Sequence, residues 1–115
     1  MTIEELRIRI DALDRQLVEL LSERARAAQT IGNLKAATSL PVYEPDREKI
    51  IYANVRAANK GPLPDIELTH IYERIIDVMR ALQRNELASQ RNARATQAEG
   101  QGLAAGSAPE TGKKQ

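Results

Sequence analysis

Five polar residues stand where the surrounding pattern is apolar: Arg24, Lys35, Arg47, Glu48 and Gln83. Arg24 is the least ordinary of them. It interrupts a line spaced by three and four that runs Ile3, Leu6, Ile10, Leu13, Leu17, Leu20, Arg24, Ala27, Ile31, Leu34. Such a line is the seam of a helix packed on other helices. A guanidinium on that seam is unfavourable unless an anion meets it. Lys35 follows Arg24 by eleven residues, which on a helix points it within about 20° of Arg24. The two can therefore serve one site. Arg7 precedes Arg24 by seventeen residues, about 100° round the helix and roughly 25 Å along it. It cannot easily join that site from its own helix, but it can reach an equivalent site on a second copy of the chain.

Cations at Arg24, Lys35 and Arg47, an acceptor at Glu48 and an amide at Gln83 suit a small, polar, polyanionic molecule held inside a helix bundle. The set contains no nucleophile–base pair, metal cluster or glycine-rich phosphate loop. Chemistry there rests on electrostatics and positioning. Each residue also has a plainer reading. Arg24 can pair with a glutamate of a partner helix, and Lys35 can be surface decoration near a helix end. Arg47 and Glu48 can be a solvated pair in a first turn, and Gln83 can close a local hydrogen bond. Met79 reads as core. Gly32 is either a tolerated weak spot or room for something to approach the backbone one turn before Lys35.

These residues need helices to hold them. The first spans about 2–38, with Thr2 as N-cap and Glu5 three residues later. At ~1.5 Å per residue it is roughly 55 Å long, more than two shorter helices of one chain readily cover. A second chain is expected to bury the remainder, making an obligate homodimer. Pro41 and Val42 end this helix, and Glu44-Pro45 opens a short second helix over about 45–59. Lys60-Gly61-Pro62 stops it. A third, long helix starts with Asp65 as N-cap. It carries one apolar line of Leu68, Ile71, Ile75, Val78 and Leu82, and a second of Tyr72, Ile76, Met79 and Gln83. The pattern fades after Ala88. The third helix can continue a few turns on Ala, Arg and Gln propensity; a helical domain over 1–90 and a disordered tail over 91–115 are expected.

Composition agrees with an all-α fold. The chain has 115 residues, three Tyr, no Phe or Trp, and a formal charge of +1. That balance gives no general attraction to nucleic acid or membrane. Without cysteine and with His70 as the single histidine, no metal site is expected. His70 lies off both lines and reads as a surface residue. Charges from Glu4 onward are unlike a signal peptide, so a cytoplasmic location is expected.

At these residues the chain resembles the all-helical class of chorismate mutases. The matching stretches are Leu6-Arg7, then Ile10 to Asp14, Leu20 to Arg24, Ile31-Gly32 with Lys35, Pro41 to Glu48, and Ile75-Ile76 leading to Gln83. The resemblance covers about residues 3–87. It implies three helices per chain in an intertwined homodimer and a cofactor-free rearrangement of chorismate to prephenate, in the biosynthesis of phenylalanine and tyrosine. By resemblance, Arg24 and Arg7 of the partner hold the substrate carboxylates. Lys35 and Gln83 bond the ether oxygen. Glu48 accepts from the substrate hydroxyl with the Glu44 backbone nearby, and Arg47 completes the positive field. Two departures stand out. Glu44 occupies a position where many relatives have an acid shorter by one carbon, and Met79 occupies one that is often serine. An isochorismate–pyruvate lyase shares the fold and much of this pocket. A non-catalytic effector-binding module is the alternative from another class. Relatives also dock on other aromatic-pathway enzymes.

Overall fold

The first helix, α1 (Ile3–Ala36), begins as its sequence predicts. The Thr2 side chain accepts from the Glu5 amide at 3.0 Å, and the Glu5 carboxylate accepts from the Thr2 amide at 2.8 Å. This reciprocal pairing satisfies two amides that the helix itself leaves without partners. Glu4 and Glu5 lie at the positive end of the helix dipole and Lys35 at the negative end. The second helix, α2 (Pro45–Ala58), has proline in its first turn, where no amide hydrogen is needed. Its N-cap is Glu44, whose side chain makes no capping bond because it is engaged in the site described below. The third helix is α3 (Asp65–Gly106). The computed structural model describes the backbone of residues 1–106 and the side chains of residues 1–97. Among the described residues there is no strand, and no helix is long and apolar enough to cross a membrane.

Two expectations change. Asp65 is not the N-cap of α3 but its first helical residue. The Leu68 amide closes on the Pro64 carbonyl at 3.0 Å. The Asp65 carboxylate instead accepts from Asn59 Nδ2 at 2.7 Å, tying the end of α2 to the start of α3. Asn59 also takes the Gly61 amide at 3.0 Å, and Gly61 has φ +72°, the left-handed region that favours glycine. The second concerns how far α3 continues into the stretch 91–115. The helix runs on through Gly106, and residues 107–115 lie outside the described residues. The stretch after Ala88 lacks an apolar stripe but is rich in Ala, Arg and Gln, all good helix formers. It also has a partner. Gln90 Nε2 donates to Asn33 Oδ1 at 3.0 Å, and Arg94 Nη1 donates to the Ala36 carbonyl at 2.6 Å. The Arg94 bond satisfies one of the last carbonyls of α1, and the Gln90 bond joins the two helices side chain to side chain.

The helix α3 packs on both α1 and α2. It runs parallel to α1, since Leu17 and Ile71 share one groove while Asn33 meets Gln90 farther along. Among the described residues few are buried: Ala28, Gly32, Lys35 and Ala36 on α1, and Ile76 and Met79 on α3. Ile76 and Met79 belong to the second apolar line of α3. Residues of the first line, with Leu17, Val18 and Leu21 of α1, border an apolar groove of about 630 Å³. Leu17 is 54% exposed there and Ile71 48%. The expected seam of α1 is thus uncovered from Ile3 to Leu20 within one chain.

Candidate active site

Lys35 lies in the last turn of α1, just where the chain turns back toward α2. It is 5% exposed, and its ammonium has three acceptors. Glu44 Oε1 is 2.7 Å from Nζ, Gln83 Oε1 3.0 Å and the Val42 carbonyl 3.3 Å. Three acceptors match the three hydrogens of an ammonium. Lysine can only donate, so Gln83 must present its carbonyl oxygen to it. The amide –NH₂ of Gln83 is then free to donate to another group.

Close approach of two helices makes this pairing possible. Gly32 sits one turn before Lys35, and a Cβ on it would lie 2.9 Å from the Gln83 carbonyl oxygen and 2.9 Å from Glu86 Cβ. What approaches Gly32 is therefore the backbone of α3. The missing side chain lets α1 and α3 close until Lys35 meets Gln83.

The opposite wall is built on α2 and α3. Glu48, in the first turn of α2, receives two hydrogen bonds on Oε2: from Arg80 Nη2 at 2.7 Å and Arg80 Nε at 3.2 Å. The Arg80 guanidinium carbon stands 5.0 Å from the centre of the Tyr43 ring, within the range of a cation–π contact. The Glu48 hydrogen bond raises the pKa of Arg80 above its ordinary value, ahead of an opposing effect of burial. Tyr52, nearby on α2, is also pushed up, by burial first and then by Glu73, Glu48 and Asp77.

Arg24, Lys35, Glu44, Arg47, Glu48, Met79, Arg80 and Gln83 all line one small cavity of about 70 Å³, with Val42, Ile51 and Ile76. The acids in it are already matched: Glu44 by Lys35 and Glu48 by Arg80. Arg24 and Arg47 have no ion pair among the described residues. Two guanidiniums therefore remain for a ligand, a charge complement suited to a dianion. No group of three or more His, Cys, Asp or Glu is placed to hold a metal among the described residues.

A family profile described as chorismate mutase type II matches residues 6–84. The chain belongs to the type II chorismate mutase family. A bifunctional chorismate mutase/prephenate dehydratase of Aquifex aeolicus is 37% identical over 86 residues, which are 71% of this chain but 24% of that protein. The chain thus spans about a quarter of the length of such bifunctional relatives. A chorismate mutase of Methanocaldococcus jannaschii is 30% identical over 78% of this chain and 92% of its own length. Among solved structures, a chorismate mutase from Helicobacter pylori in complex with prephenate has a TM-score of 0.67 and 34% identity, covering 75% of this chain and 93% of that one.

Of the residues the family resemblance singled out, seven meet in this cavity: Arg24, Lys35, Glu44, Arg47, Glu48, Met79 and Gln83. Arg7 does not. It is exposed on the N-terminal half of α1 and is absent from the cavity wall. Glu44 differs from its expected role in one respect: its side chain, not only its backbone, faces the site through Lys35. Met79 is buried between the cavity and the apolar groove and lines both. Sequence reasoning missed Arg80, Tyr43 and the Val42 carbonyl. Arg80 had a signal. It falls four residues after Ile76 and three before Gln83, on the face that carries both.

Proposed function

We propose that this chain is a chorismate mutase, an isomerase that converts chorismate to prephenate. The observation that carries the reading is the cavity's division of labour. Its acids are internally paired, two guanidiniums are free, and Lys35 and Gln83 stand together as donors. Chorismate is a dianion with one ether oxygen and one ring hydroxyl. Its rearrangement breaks the ether C–O bond as a new C–C bond forms, in one cyclic electron shift. No proton, metal or co-reactant takes part. Partial negative charge grows on the ether oxygen, and donors aimed at that oxygen lower the barrier. The Gln83 –NH₂ is one such donor. Lys35 becomes the other by giving up its longest contact, the 3.3 Å bond to the Val42 carbonyl. Arg24 and Arg47 hold carboxylate and supply positive field, which favours the compact conformer that can react. Glu48 accepts from the hydroxyl.

The working unit in this reading is a homodimer. Within one chain the seam of α1 lies open, with Leu13 45%, Leu17 54% and Leu20 62% exposed. A second α1 laid in the apolar groove would cover the open seam and bring the partner's Arg7 to the cavity. Docking on a second aromatic-pathway enzyme, and a cytoplasmic location, are consistent with the same reading. The decisive assay follows chorismate loss by absorbance and identifies the product. Stoichiometric prephenate is the expected result. Pyruvate release from isochorismate with no chorismate turnover would replace this reading with a lyase.

A further inference from the structure

Glu48 poses a problem for a site that receives a dianion. A bare carboxylate there repels the ligand, and a glutamate side chain free to rotate must be ordered when the ligand binds. We propose that Arg80 is the positioning residue that removes both difficulties, fixing Glu48 as a one-oxygen acceptor for the substrate hydroxyl. The proposal rests on the chorismate mutase reading and assigns a residue to that same site.

The geometry separates Arg80 from the other cations. Its Nε and Nη2 both converge on Glu48 Oε2, at 3.2 and 2.7 Å. Among the described residues Glu48 Oε1 has no hydrogen-bond partner, so one oxygen is anchored and the other is free. The rest of the guanidinium faces its own surroundings, with Nη1 at ion-pair distance, 3.6 Å, from Asp77 Oδ1 and Cζ over the Tyr43 ring, 5.0 Å from its centre. Arg80 therefore has little left to offer a ligand, whereas Arg24 and Arg47 have everything. Both partners are partly shielded, with side chains 24% and 19% exposed, which limits screening of the pair by solvent. Only a guanidinium can grip one carboxylate oxygen from two donors of the same plane; an ammonium supplies the charge without the fork. Tyr43 belongs to the loop between α1 and α2, Glu48 to α2 and Arg80 to α3. One side chain thus keeps three segments in register around the acceptor.

The test is a double-mutant cycle. Wild type, Arg80→Met, Arg80→Lys, Glu48→Gln and the double variant Arg80→Met/Glu48→Gln are compared for kcat and KM with chorismate and for Kd with prephenate. Arg80→Met should lower kcat/KM tenfold or more. Arg80→Lys should bring KM back near the wild-type value while kcat stays low, because charge returns without orientation. In the Glu48→Gln background, removing Arg80 should change kcat/KM less than threefold, since the group it acts through is gone. A folding defect would show equally in both backgrounds. The proposal is overturned if Arg80→Met lies within twofold of wild type, or if its loss persists in full beside Glu48→Gln. Failure of the chorismate mutase reading looks different, because wild type itself would not consume chorismate. If such a protein still binds prephenate, the same coupling is read from the five Kd values. If it binds neither compound, both the reading and the role of Arg80 fall.

Discussion

Gly32 lies against the main chain of Gln83, so closely that a single methyl group would come within 2.9 Å of the Gln83 carbonyl oxygen. Two effects oppose each other in Gly32→Ala. Alanine gains about 1 kcal/mol in a helix interior, and overpacking against backbone costs about 1–3 kcal/mol. Backbone cannot swing aside as a side-chain tip can, so the second effect wins. The helices should part and the Lys35–Gln83 bond should lengthen, so that the two donors of the proposed mechanism no longer converge. We predict a kcat loss of about tenfold or more, since a displacement near 1 Å can cost up to a hundredfold, with a Tm unchanged or lowered by a few degrees. A raised Tm with unaltered kcat would show that the contact relaxes freely.

The bond between Arg94 and the Ala36 carbonyl makes the extension of α3 part of the site's support. It caps the turn that carries Lys35. A chain ending at residue 92 loses this bond, and one ending at residue 97 keeps it. The shorter chain should melt about 4 °C lower, as expected for roughly 1 kcal/mol from a charge-assisted cap, and Arg94→Ala in the full chain should reproduce most of that drop. Thermal melts followed by circular dichroism at one protein concentration decide it. Equal midpoints for the two truncations would leave the extension without a stabilising role.

What was legible in the sequence, and what was not, divides along chain separation. Thr2 with Glu5, and Pro45 in a first turn, are short-range patterns whose physics is complete within a few residues, and both stand where expected. Arg24 was visible because a cation on an apolar line violates a periodicity. Arg80 violates none, since it flanks the second apolar line of α3 on the side away from the first, and its partner Glu48 is 32 residues away. Gly32 was ambiguous for the same reason: only the position of α3 says what approaches it. The continuation of α3 was legible only as Ala, Arg and Gln propensity, because the polar bonds from residues 90 and 94 to the end of α1 join positions 57 and 58 residues apart.

The Lys35–Gln83 bond yields a pH prediction. Gln83 accepts from Lys35 with its carbonyl and donates with its –NH₂, and an amide does not titrate. In Gln83→Glu the group beside Lys35 becomes a carboxylate above its pKa. An ordinary glutamate titrates near about 4.3, and the lysine ammonium draws that value lower. Only the protonated acid donates to the ether oxygen. The variant should therefore be nearly inactive at neutral pH and gain more than about tenfold in kcat between pH 7.5 and pH 5, while wild type varies little. A flat profile in the variant would remove Gln83 from the ether-oxygen role.

Arg7 and Arg24 provide the sharpest test of the assembly. Arg24 lines the cavity and Arg7 does not; a helix rise of ~1.5 Å over their seventeen-residue separation puts them roughly 25 Å apart. If Arg7 acts, it acts on the cavity of another copy. Arg7→Ala and Arg24→Ala homodimers should then each be nearly inactive, because every site lacks one carboxylate clamp. Unfolding the two variants together in equal amounts and refolding them should give about half mixed dimers by random pairing. In a mixed dimer, the subunit with intact Arg24 receives intact Arg7 from its partner, and the other site lacks both. About a quarter of all sites then regain the full set. Activity should climb toward that fraction of wild type only after refolding, and unmixed controls should stay low. Mixed dimers verified by mass that show no more than the average of the two parents would make Arg7 either a residue acting in its own subunit or a surface one.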